Sequence, residues 1–376
     1  MLDMVQTEDL VKWRRIFHQY PELSEHEFET TKRIKEILEL YDIHILDLPL
    51  KTGLVAEIGR GDEFVAVRSD IDALPIREQV THAFTSQQDG VMHACGHDIH
   101  MASILGTAIK LKQIEDQLPG RVRFIFQPAE ELGYGASYIT ETGAVDGAKA
   151  VVGFHNLPSL NVGEFAIKSG PITAAVDRFE FNIRGKGAHA AKPEQGNDPV
   201  IVLGQLITSI QSIVSRNISA FDSAVVTIGE ARSGNTWNVI ADEGYVQGTV
   251  RSFDETIRQR VETRLQQIAD GLSATFDVEI ELNYERLPGA VKNDEALTEE
   301  AIKAAKQVGY KVTELDQTLT IGEDFSGYSD LYPSVFALIG SQSTHDLHHP
   351  RFDPDEQILD KVPDYFVTLV QQLLAK

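Results

Sequence analysis

The sequence contains almost no cysteine, since Cys95 is the single one in 376 residues. One cysteine cannot form an intrachain disulfide, and a chain of this length can bury enough apolar surface to fold without one. Such sparse cysteine use is typical of a reducing compartment, so we predict a cytoplasmic protein. Long apolar runs are also missing, and we expect no segment to approach the roughly 18 apolar residues that a membrane-spanning helix needs.

Basic residues are few, with 34 Lys and Arg against 57 Asp and Glu, which gives a formal net charge of −23. A field of this sign repels nucleic acids and anionic lipids, so we predict neither a nucleic-acid nor a membrane partner. The hydrophobic share of 42% and the charged share of 24% are those of an ordinary globular protein. The net negative charge does not exclude a small-molecule partner, and this includes an anion bound in a local cationic pocket.

Short apolar runs rich in Val, Ile and Phe alternate with helical patterns over most of the chain. These runs are Leu54–Ile58, Phe64–Val67, Arg121–Phe126, Ala150–Phe154 and Val335–Ile339. This alternation predicts an α/β domain whose mixed, mostly parallel sheet is flanked by helices. The length suggests two domains, or one domain with a large insertion.

The pattern changes between residues 174 and 288. Apolar and polar residues alternate in the order β-α-β-β-α-β, which is typical of a ferredoxin-like α+β unit. We therefore predict a discontinuous catalytic domain, residues 1–173 and 289–376, with an inserted domain at residues 174–288. Two local signals refine this assignment. Asp198 and Pro199 form an N-cap and N1 pair for a helix, and Ser24 with Glu27 forms a capping-box pattern.

Polar side chains that can do chemistry follow three of the predicted strands. Two aspartates, two glutamates and a histidine come directly after successive runs: Asp70, Asp72, Glu130, Glu131 and His155. Aspartates at strand ends also cap helices, and paired glutamates are often solvated. However, the carboxyl ends of strands in an open α/β sheet meet at one crevice, so we expect these side chains to converge.

Two further segments supply histidines and the cysteine: MHACGHDIH, with Cys95 and His97, and THDLHHPRFD near the C-terminus. One thiol, three imidazoles and a carboxylate are too many ligands for one tetrahedral ion, but they suit two divalent ions that share a ligand. Such a pair lowers the pKa of water and polarises a carbonyl oxygen. One of Glu130 and Glu131 can then bind metal while the other carries the proton to a leaving nitrogen. Together, the thiol, the three imidazoles and the glutamate pair predict metal-assisted hydrolysis of an amide.

A series of motifs in fixed order gives these residues a family context: RSDIDALP, MHACGHDIHMA, QPAEE, GFHNLP, GKGAHAAKP, TWNVI, GTVRSF, GEDF and LHHPRFD. The chain resembles the aminoacylase/carboxypeptidase superfamily of dinuclear metallohydrolases over nearly its whole length. Within it, the chain is most similar to the amidohydrolase branch. That branch holds N-acyl-amino-acid amidohydrolases, hippurate hydrolases and N-acetyldiaminopimelate deacetylases.

The resemblance implies a role for each motif residue in the catalytic domain. It assigns Glu130 as the general base and Asp72 as an aspartate that orients a ligand. Asp70 stands where relatives outside this branch use a ligating histidine, and its role stays open. The implied metal ligands are Cys95 as the bridge, His97, Glu131, His155 and His348. For His93, Asp98, His100 and His345, the expectation is structural hydrogen bonding.

The inserted domain resembles the family's lid and dimerisation domain, so a homodimer formed through it is expected. The resemblance implies that His189 reaches the partner subunit's site and stabilises the oxyanion. It also implies that Asn238 and Arg251 hold the substrate backbone, with Arg251 clamping a carboxylate. Two departures bear on the pocket. Ala241 stands where many relatives have proline, and Leu132 replaces a frequent glycine.

These observations predict a metal-dependent amidohydrolase that cleaves the amide bond of N-acyl amino acids, with N-acetyl as the expected acyl group. Its cofactors are two divalent ions, with Zn, Mn, Ni or Co as the options. Two alternatives stay open. One is a dipeptidase or aminopeptidase of the same superfamily, which needs an anionic partner for a free α-amino group. The other is a non-catalytic binder of N-acylated ligands, which has no need of a base.

Overall fold

The computed structural model describes residues 5–376, and within them lie nine α-helices and sixteen strands. The helices are α1 (Thr7–Gln19), α2 (Phe28–Leu40), α3 (His97–Gln113), α4 (Gly135–Thr140), α5 (Pro199–Ser212), α6 (Glu255–Phe276), α7 (Glu295–Gln307), α8 (Ser326–Ser329) and α9 (Val362–Leu374). The strands are β1 (His44–Ile45), β2 (Leu54–Ile58), β3 (Phe64–Asp70), β4 (Arg121–Gln127), β5 (Ala150–Leu157), β6 (Glu164–Ile167), β7 (Gly170–Pro171), β8 (Ala175–Arg184), β9 (Ala188–His189), β10 (Ala224–Ser233), β11 (Val239–Ile240), β12 (Glu243–Ser252), β13 (Glu279–Arg286), β14 (Lys292–Asn293), β15 (Lys311–Glu314) and β16 (Ser334–Gly340).

The chain divides into two compact units. Unit 1 comprises the residues up to Ile172, Val291–Gln317 and Asp324–Lys376, and unit 2 comprises Thr173–Ala290 and Thr318–Glu323. The insertion that the sequence predicts at 174–288 lies inside the longer stretch of unit 2. The short stretch at 318–323 carries no sequence signal that links it to this unit.

Unit 1 is built on an eight-stranded mixed sheet with the order β1-β2-β4-β3-β5-β16-β6-β15. The central strands β4, β3, β5 and β16 run parallel to one another, and β3 and β16 are buried along their whole length. Continuous apolar runs form such strands because both faces of the sheet are covered. Helix α3 is buried on nearly every side, which explains its apolar sequence after His100. The predicted α/β fold is confirmed.

Strand β3 lies between β4 on one side and β5 on the other, and all three run in the same direction. The chain order therefore reverses at β3, which makes its carboxyl end a topological switch point. Asp70 ends β3, Glu130 follows β4, and His155 lies near the end of β5. The sheet topology thus brings these residues to one edge.

Unit 2 contains a four-stranded antiparallel sheet with the order β10-β12-β8-β13. Burial alternates along β8 because one face of the sheet packs on α5 and α6 and the other faces water. Asp198 caps α5 by accepting a hydrogen bond from Val200 N, and Pro199 is the first helical residue, as predicted. The strand and helix order is that of the predicted ferredoxin-like unit.

Helix α5 continues as one π-helical turn, Ile213–Asn217, and reaches the length of a membrane span. Its mean hydropathy is 1.2 over 18 residues, and 28% of that stretch is buried. By length and composition, the prediction that no segment approaches a membrane-spanning helix is therefore wrong. Val202, Leu206 and Ile210 pack into the core of unit 2, so at least one side of the helix is used for folding.

The capping box predicted from Ser24 and Glu27 is also wrong. Glu27 occupies the N-cap position of α2, but its side chain makes no cap hydrogen bond. Both side chains instead bind distant segments of unit 1: Ser24 Oγ donates to Asp72 Oδ2 at 2.6 Å, and Glu27 accepts from Thr52 and Ala129. The local spacing matches a cap, but long-range partners take these side chains.

Candidate metal centre

Cys95 and His97 lie on either side of Gly96, in the turn that opens helix α3. Gly96 has a positive φ of 90°, and a Cβ atom there would lie 2.3 Å from Asn156 Nδ2. That amide nitrogen donates to the carbonyl oxygen of Cys95 at 2.7 Å. The turn therefore requires glycine both for its conformation and for the close approach of Asn156. It fixes the thiol and the imidazole beside the strand β5.

Five predicted ligands form two groups that share the sulfur of Cys95. The first group is Cys95, His97 and His155, and the second is Cys95, Glu131 and His348. Within each group the ligand atoms all lie within 4.8 Å of one another, and Cys95 Sγ is 3.3 Å from His155 Nε2. Two three-residue groups with one common thiol are the arrangement expected for two ions and a bridging ligand.

Hydrogen bonds orient two of these imidazoles towards the thiol. His97 Nδ1 donates to the carbonyl oxygen of Asp72 at 2.9 Å, and His155 Nδ1 donates to that of Asn156 at 2.7 Å. In both rings Nε2 is then the nitrogen left to bind a metal. The carboxylate of Asp72 also accepts from the backbone nitrogen of Glu131 at 3.0 Å. Asp72 thus links the His97 and Glu131 segments.

The donor set fits divalent cations. His97 Nε2 and Glu131 Oε1 are buried, lie 3.9 Å apart, and have no hydrogen-bond partner among residues 5–376. An unsatisfied buried polar atom costs about 1–3 kcal/mol. Burial raises the pKa of Glu131 to about 7, and burial together with Glu131 raises the pKa of the Cys95 thiol well above its usual range. Nearby cations would favour the ionised forms of both groups.

Glu130 borders the ligands. It shares the short 3₁₀ turn Glu130–Leu132 with Glu131, and its carboxylate lies within 4.8 Å of ligand atoms of both His97 and Glu131. The backbone nitrogen of Asp324 donates to Glu130 Oε1 at 3.4 Å, and the side chain is 11% exposed. The structure thus places this carboxylate beside the groups without requiring it as a ligand.

Asp70, whose role the sequence leaves open, belongs to a buried network beside the ligands. It accepts from His100 Nδ1 at 2.6 Å and from Arg68 Nη1 at 2.7 Å. His100 Nε2 in turn accepts from the backbone and side chain of Asn156. Both nitrogens of His100 are therefore engaged in hydrogen bonds. Asp98 likewise pairs with Arg14 and His18, and His345 stacks on His349 at 4.2 Å.

His189 and Asn238 lie in unit 2, where strands β9 and β11 pair. The amide of Ala190 donates to the carbonyl oxygen of Asn238 at 3.2 Å, which holds the two segments together. His189 is exposed, and its Nδ1 accepts from the backbone nitrogen of Ala191 at 3.0 Å. A neutral His189 ring therefore carries its proton on Nε2, which can donate to an oxygen anion.

Arg251, also in unit 2, lies on β12 and is partly buried. Its Nη1 donates to Thr249 Oγ1 and to the carbonyl oxygen of Val250, and within residues 5–376 it forms no ion pair with a carboxylate. Burial lowers its pKa, so the charged form gains from an anionic partner. The guanidinium is thus suited to bind a carboxylate.

Sequence reasoning missed three residues that shape this centre: Ser24, Glu27 and Asn156. The spacing of Ser24 and Glu27 predicts a helix cap instead of these contacts. Asn156 directly follows His155 in GFHNLP, and its only signal was this position beside a predicted ligand. Its contacts with Cys95 and His100 come from other elements, which the sequence pattern does not reveal.

Comparison with known proteins identifies the family. Residues 66–372 match the model of peptidase family M20/M25/M40. The chain belongs to this family. It is 46% identical over 363 residues to an N-acetylcysteine deacetylase of Bacillus subtilis, covering 96% of this chain and 95% of that protein. A second B. subtilis relative, an N-acetyl-L-cysteine deacetylase, is 44% identical over 367 residues, covering 97% of this chain and 88% of the relative.

A solved structure extends the comparison to the metal centre. The B. subtilis YXEP protein, described as a dinuclear metal binding peptidase of the M20 family, is 42% identical with a TM-score of 0.88, and 98% of each chain is covered. The predicted superfamily is thereby confirmed. As an M20 member with two ligand groups that share Cys95, the chain is a metal-dependent hydrolase of amide bonds, with a dinuclear centre as its cofactor site.

Proposed function

We propose that this M20 hydrolase removes the acetyl group from N-acetyl amino acids, with N-acetylcysteine as its first candidate substrate. The main support for this proposal is the position of Glu130 beside two ligand groups that share one thiol. The two B. subtilis relatives named as deacetylases of acetylated cysteine support this substrate class. We assign Cys95, His97, Glu131, His155 and His348 as the metal ligands.

Two divalent cations bound there supply Lewis acidity, which makes water more acidic and the amide carbonyl more electrophilic. Glu130 takes the proton of the attacking water and delivers it to the leaving amine nitrogen. The carbonyl oxygens of Asp72 and Asn156 accept hydrogen bonds from His97 and His155, and these bonds fix the orientation of the two imidazoles. In the site of the partner subunit, His189 Nε2–H stabilises the negative charge on the former carbonyl oxygen, and Asn238 binds the substrate backbone.

The direct test is a mass-spectrometric panel on purified protein loaded in turn with Zn²⁺, Mn²⁺, Ni²⁺ and Co²⁺. We expect release of free amino acid from N-acetylcysteine and other N-acetyl amino acids, and little cleavage of free dipeptides. Faster hydrolysis of dipeptides would favour a peptidase instead. Metal analysis of protein purified without added metal identifies the native ions, which the thiolate and carboxylate donors leave open among these four.

Arg251 is expected to bind the carboxylate of the substrate. A charge-assisted hydrogen bond contributes about 1.5–3 kcal/mol, so Arg251→Gln should lower kcat/KM for N-acetylcysteine by about 10- to 100-fold. The matched substrate is N-acetylcysteine amide, which lacks the carboxylate. On that substrate the wild type and the variant should differ by less than about threefold. An equal loss on both substrates would contradict the assignment.

A homodimer formed through unit 2 is also proposed. Strand β10 is ten residues long and is one of the two outer strands of its sheet within residues 5–376. An open edge of this kind readily pairs with another chain. Apolar side chains are exposed on β10 and on α5, with Val225 at 42% and Ile201 at 54% exposure. Pairing of β10 with its copy would cover both the edge and these side chains.

The dimer predicts a specific result for Ile201→Asp combined with Val225→Asp. Light scattering should show a dimer for the wild type and a monomer for the variant. Because His189 is expected to act on the partner's site, the monomer should lose activity about 100-fold while it retains metal. Leu331→Asp is the matched control, since Leu331 is 62% exposed in unit 1. A monomeric wild type, or a fully active monomeric variant, would contradict the proposal.

We further propose a reducing, cytoplasmic location. The support is the single cysteine at the centre of both ligand groups, because oxidation of this sulfur would remove a ligand from each group.

A further inference from the structure

Glu27 is a buried carboxylate that the proposed mechanism does not use. Its side chain is 0% exposed and lies between two segments of unit 1. One oxygen, Oε2, accepts from Thr52 Oγ1 at 2.8 Å, and the other, Oε1, accepts from the backbone nitrogen of Ala129 at 2.9 Å. Burial raises the pKa of Glu27, and the hydrogen bonds from Thr52 and Ala129 oppose this rise by stabilising the carboxylate.

The second partner, Ala129, has an unusual backbone. Its φ is 57° and its ψ is 36°, which is the left-handed conformation that residues with a Cβ disfavour. Ala129 is the N-cap residue of the 3₁₀ turn that carries Glu130 and Glu131. Strained backbone persists only where its surroundings hold it, and it occurs most often at functional sites.

Both backbone groups of Ala129 are held. Glu27 accepts from its nitrogen, and its carbonyl oxygen accepts from the nitrogen of Gly135 at 3.2 Å. Gly135 is itself tightly placed, because a Cβ there would lie 1.8 Å from the carbonyl oxygen of Pro128. The direction in which the chain leaves Ala129 sets where the next two carboxylates point.

We propose that Glu27 is a positioning residue for the reaction: its buried carboxylate fixes the left-handed backbone of Ala129 and thereby aims Glu130 and Glu131 at the centre. The inference rests on the proposed function of Glu130 as the base. Misplacement of a reacting group by about 1 Å can lower turnover about 100-fold, so loss of this one hydrogen bond is expected to reach the chemistry.

The test compares Glu27→Ala with Thr52→Val, which removes the other hydrogen bond of the same carboxylate and leaves the one to Ala129. With saturating Mn²⁺ or Zn²⁺ and well below the melting temperature, Glu27→Ala should lower kcat for N-acetylcysteine by about 10- to 100-fold with little change in KM. Thr52→Val should stay within about threefold of the wild type. Glu27→Gln should also stay close, because its amide oxygen still accepts from Ala129 and its NH₂ group can donate to Thr52.

A second substitution separates positioning from general destabilisation. Glycine adopts the left-handed conformation without strain, so Ala129→Gly in the Glu27→Ala background should recover at least about threefold of the lost kcat. A loss caused only by core destabilisation would not be recovered in this way. If Glu27→Ala does not fold, Glu27→Asp withdraws the carboxylate by one methylene and should show the same order of effects.

Hydrogen exchange provides a readout that needs neither substrate nor metal. The amide of Ala129 should exchange at least about 10-fold faster in Glu27→Ala than in the wild type, while Thr52→Val leaves it unchanged. Wild-type kcat in Glu27→Ala, or an equal loss in Thr52→Val, would overturn the proposal. If the wild type does not hydrolyse N-acetyl amino acids, the proposed function fails, and unaltered exchange at Ala129 in Glu27→Ala would then reject the positioning role independently.

Discussion

Glu130→Gln is expected to lower kcat for N-acetylcysteine by at least about 100-fold while two metal ions per chain remain bound. The amide keeps the size of the carboxylate and can still accept the hydrogen bond from Asp324, but it cannot take a proton from water. KM should change by less than about threefold, because the lost interaction belongs to the transition state. Steady-state kinetics and elemental analysis of the same preparation measure both quantities.

The matched control is Glu29→Gln, a glutamate on α2 whose side chain is 59% exposed. It should retain wild-type turnover and metal content. Two outcomes would count against Glu130 as the base. Unchanged turnover in Glu130→Gln would remove it from the mechanism, and loss of metal from that variant would indicate that Glu130 is itself a ligand.

Cys95→Ala is expected to lose binding of the metal pair. The sulfur is the one atom common to both ligand groups, so its removal leaves only two predicted ligands in each. Changes to groups that merely support metal ligands already cost about 10- to 100-fold in affinity, so loss of a shared ligand should cost at least about 100-fold. Isothermal calorimetry of a metal titration measures this loss of affinity. Enzyme activity at micromolar metal should fall in parallel.

Cys95→Asp is the informative partner for this variant. A carboxylate can bridge two ions as a thiolate does, so Cys95→Asp keeps an anionic ligand at this position. The Asp variant should therefore bind two ions more tightly than the Ala variant. Wild-type affinity for two ions in Cys95→Ala would refute the bridging role, whatever the activity.

The sequence predicted the fold where local pattern and tertiary contacts agree. Continuous apolar runs become buried parallel strands, and the alternation along residues 175–184 becomes a strand with one wet face, because side-chain periodicity reports directly on which faces are covered. The residues after β3, β4 and β5 converge because parallel strands end at one edge of the sheet.

In helix α5, the apolar composition of the sequence does not predict which side chains are buried. The sequence predicts no membrane-spanning segment, yet this helix reaches the length and mean hydropathy of one. Apolar residues on its buried side pack on the sheet of unit 2, whereas Val200 and Ile201 remain exposed. Composition does not distinguish residues that fill a core from residues that stay exposed on the surface. Burial in the folded unit makes that distinction.

Chemistry-bearing residues and their order along the chain were determined by the sequence alone: Cys95, His97, the Glu130–Glu131 pair, His155 and His348 follow strands or turns and carry the family motifs. Tertiary structure alone decided the partners of Ser24, Glu27, Asp70 and Asn156. Ser24 and Glu27 match a cap by spacing, but their hydrogen bonds reach Asp72 and Ala129, the latter 102 residues away. Periodicity and capping are short-range properties that a sequence records, whereas the partner of a buried polar side chain is set by which distant segments packing brings within 3 Å.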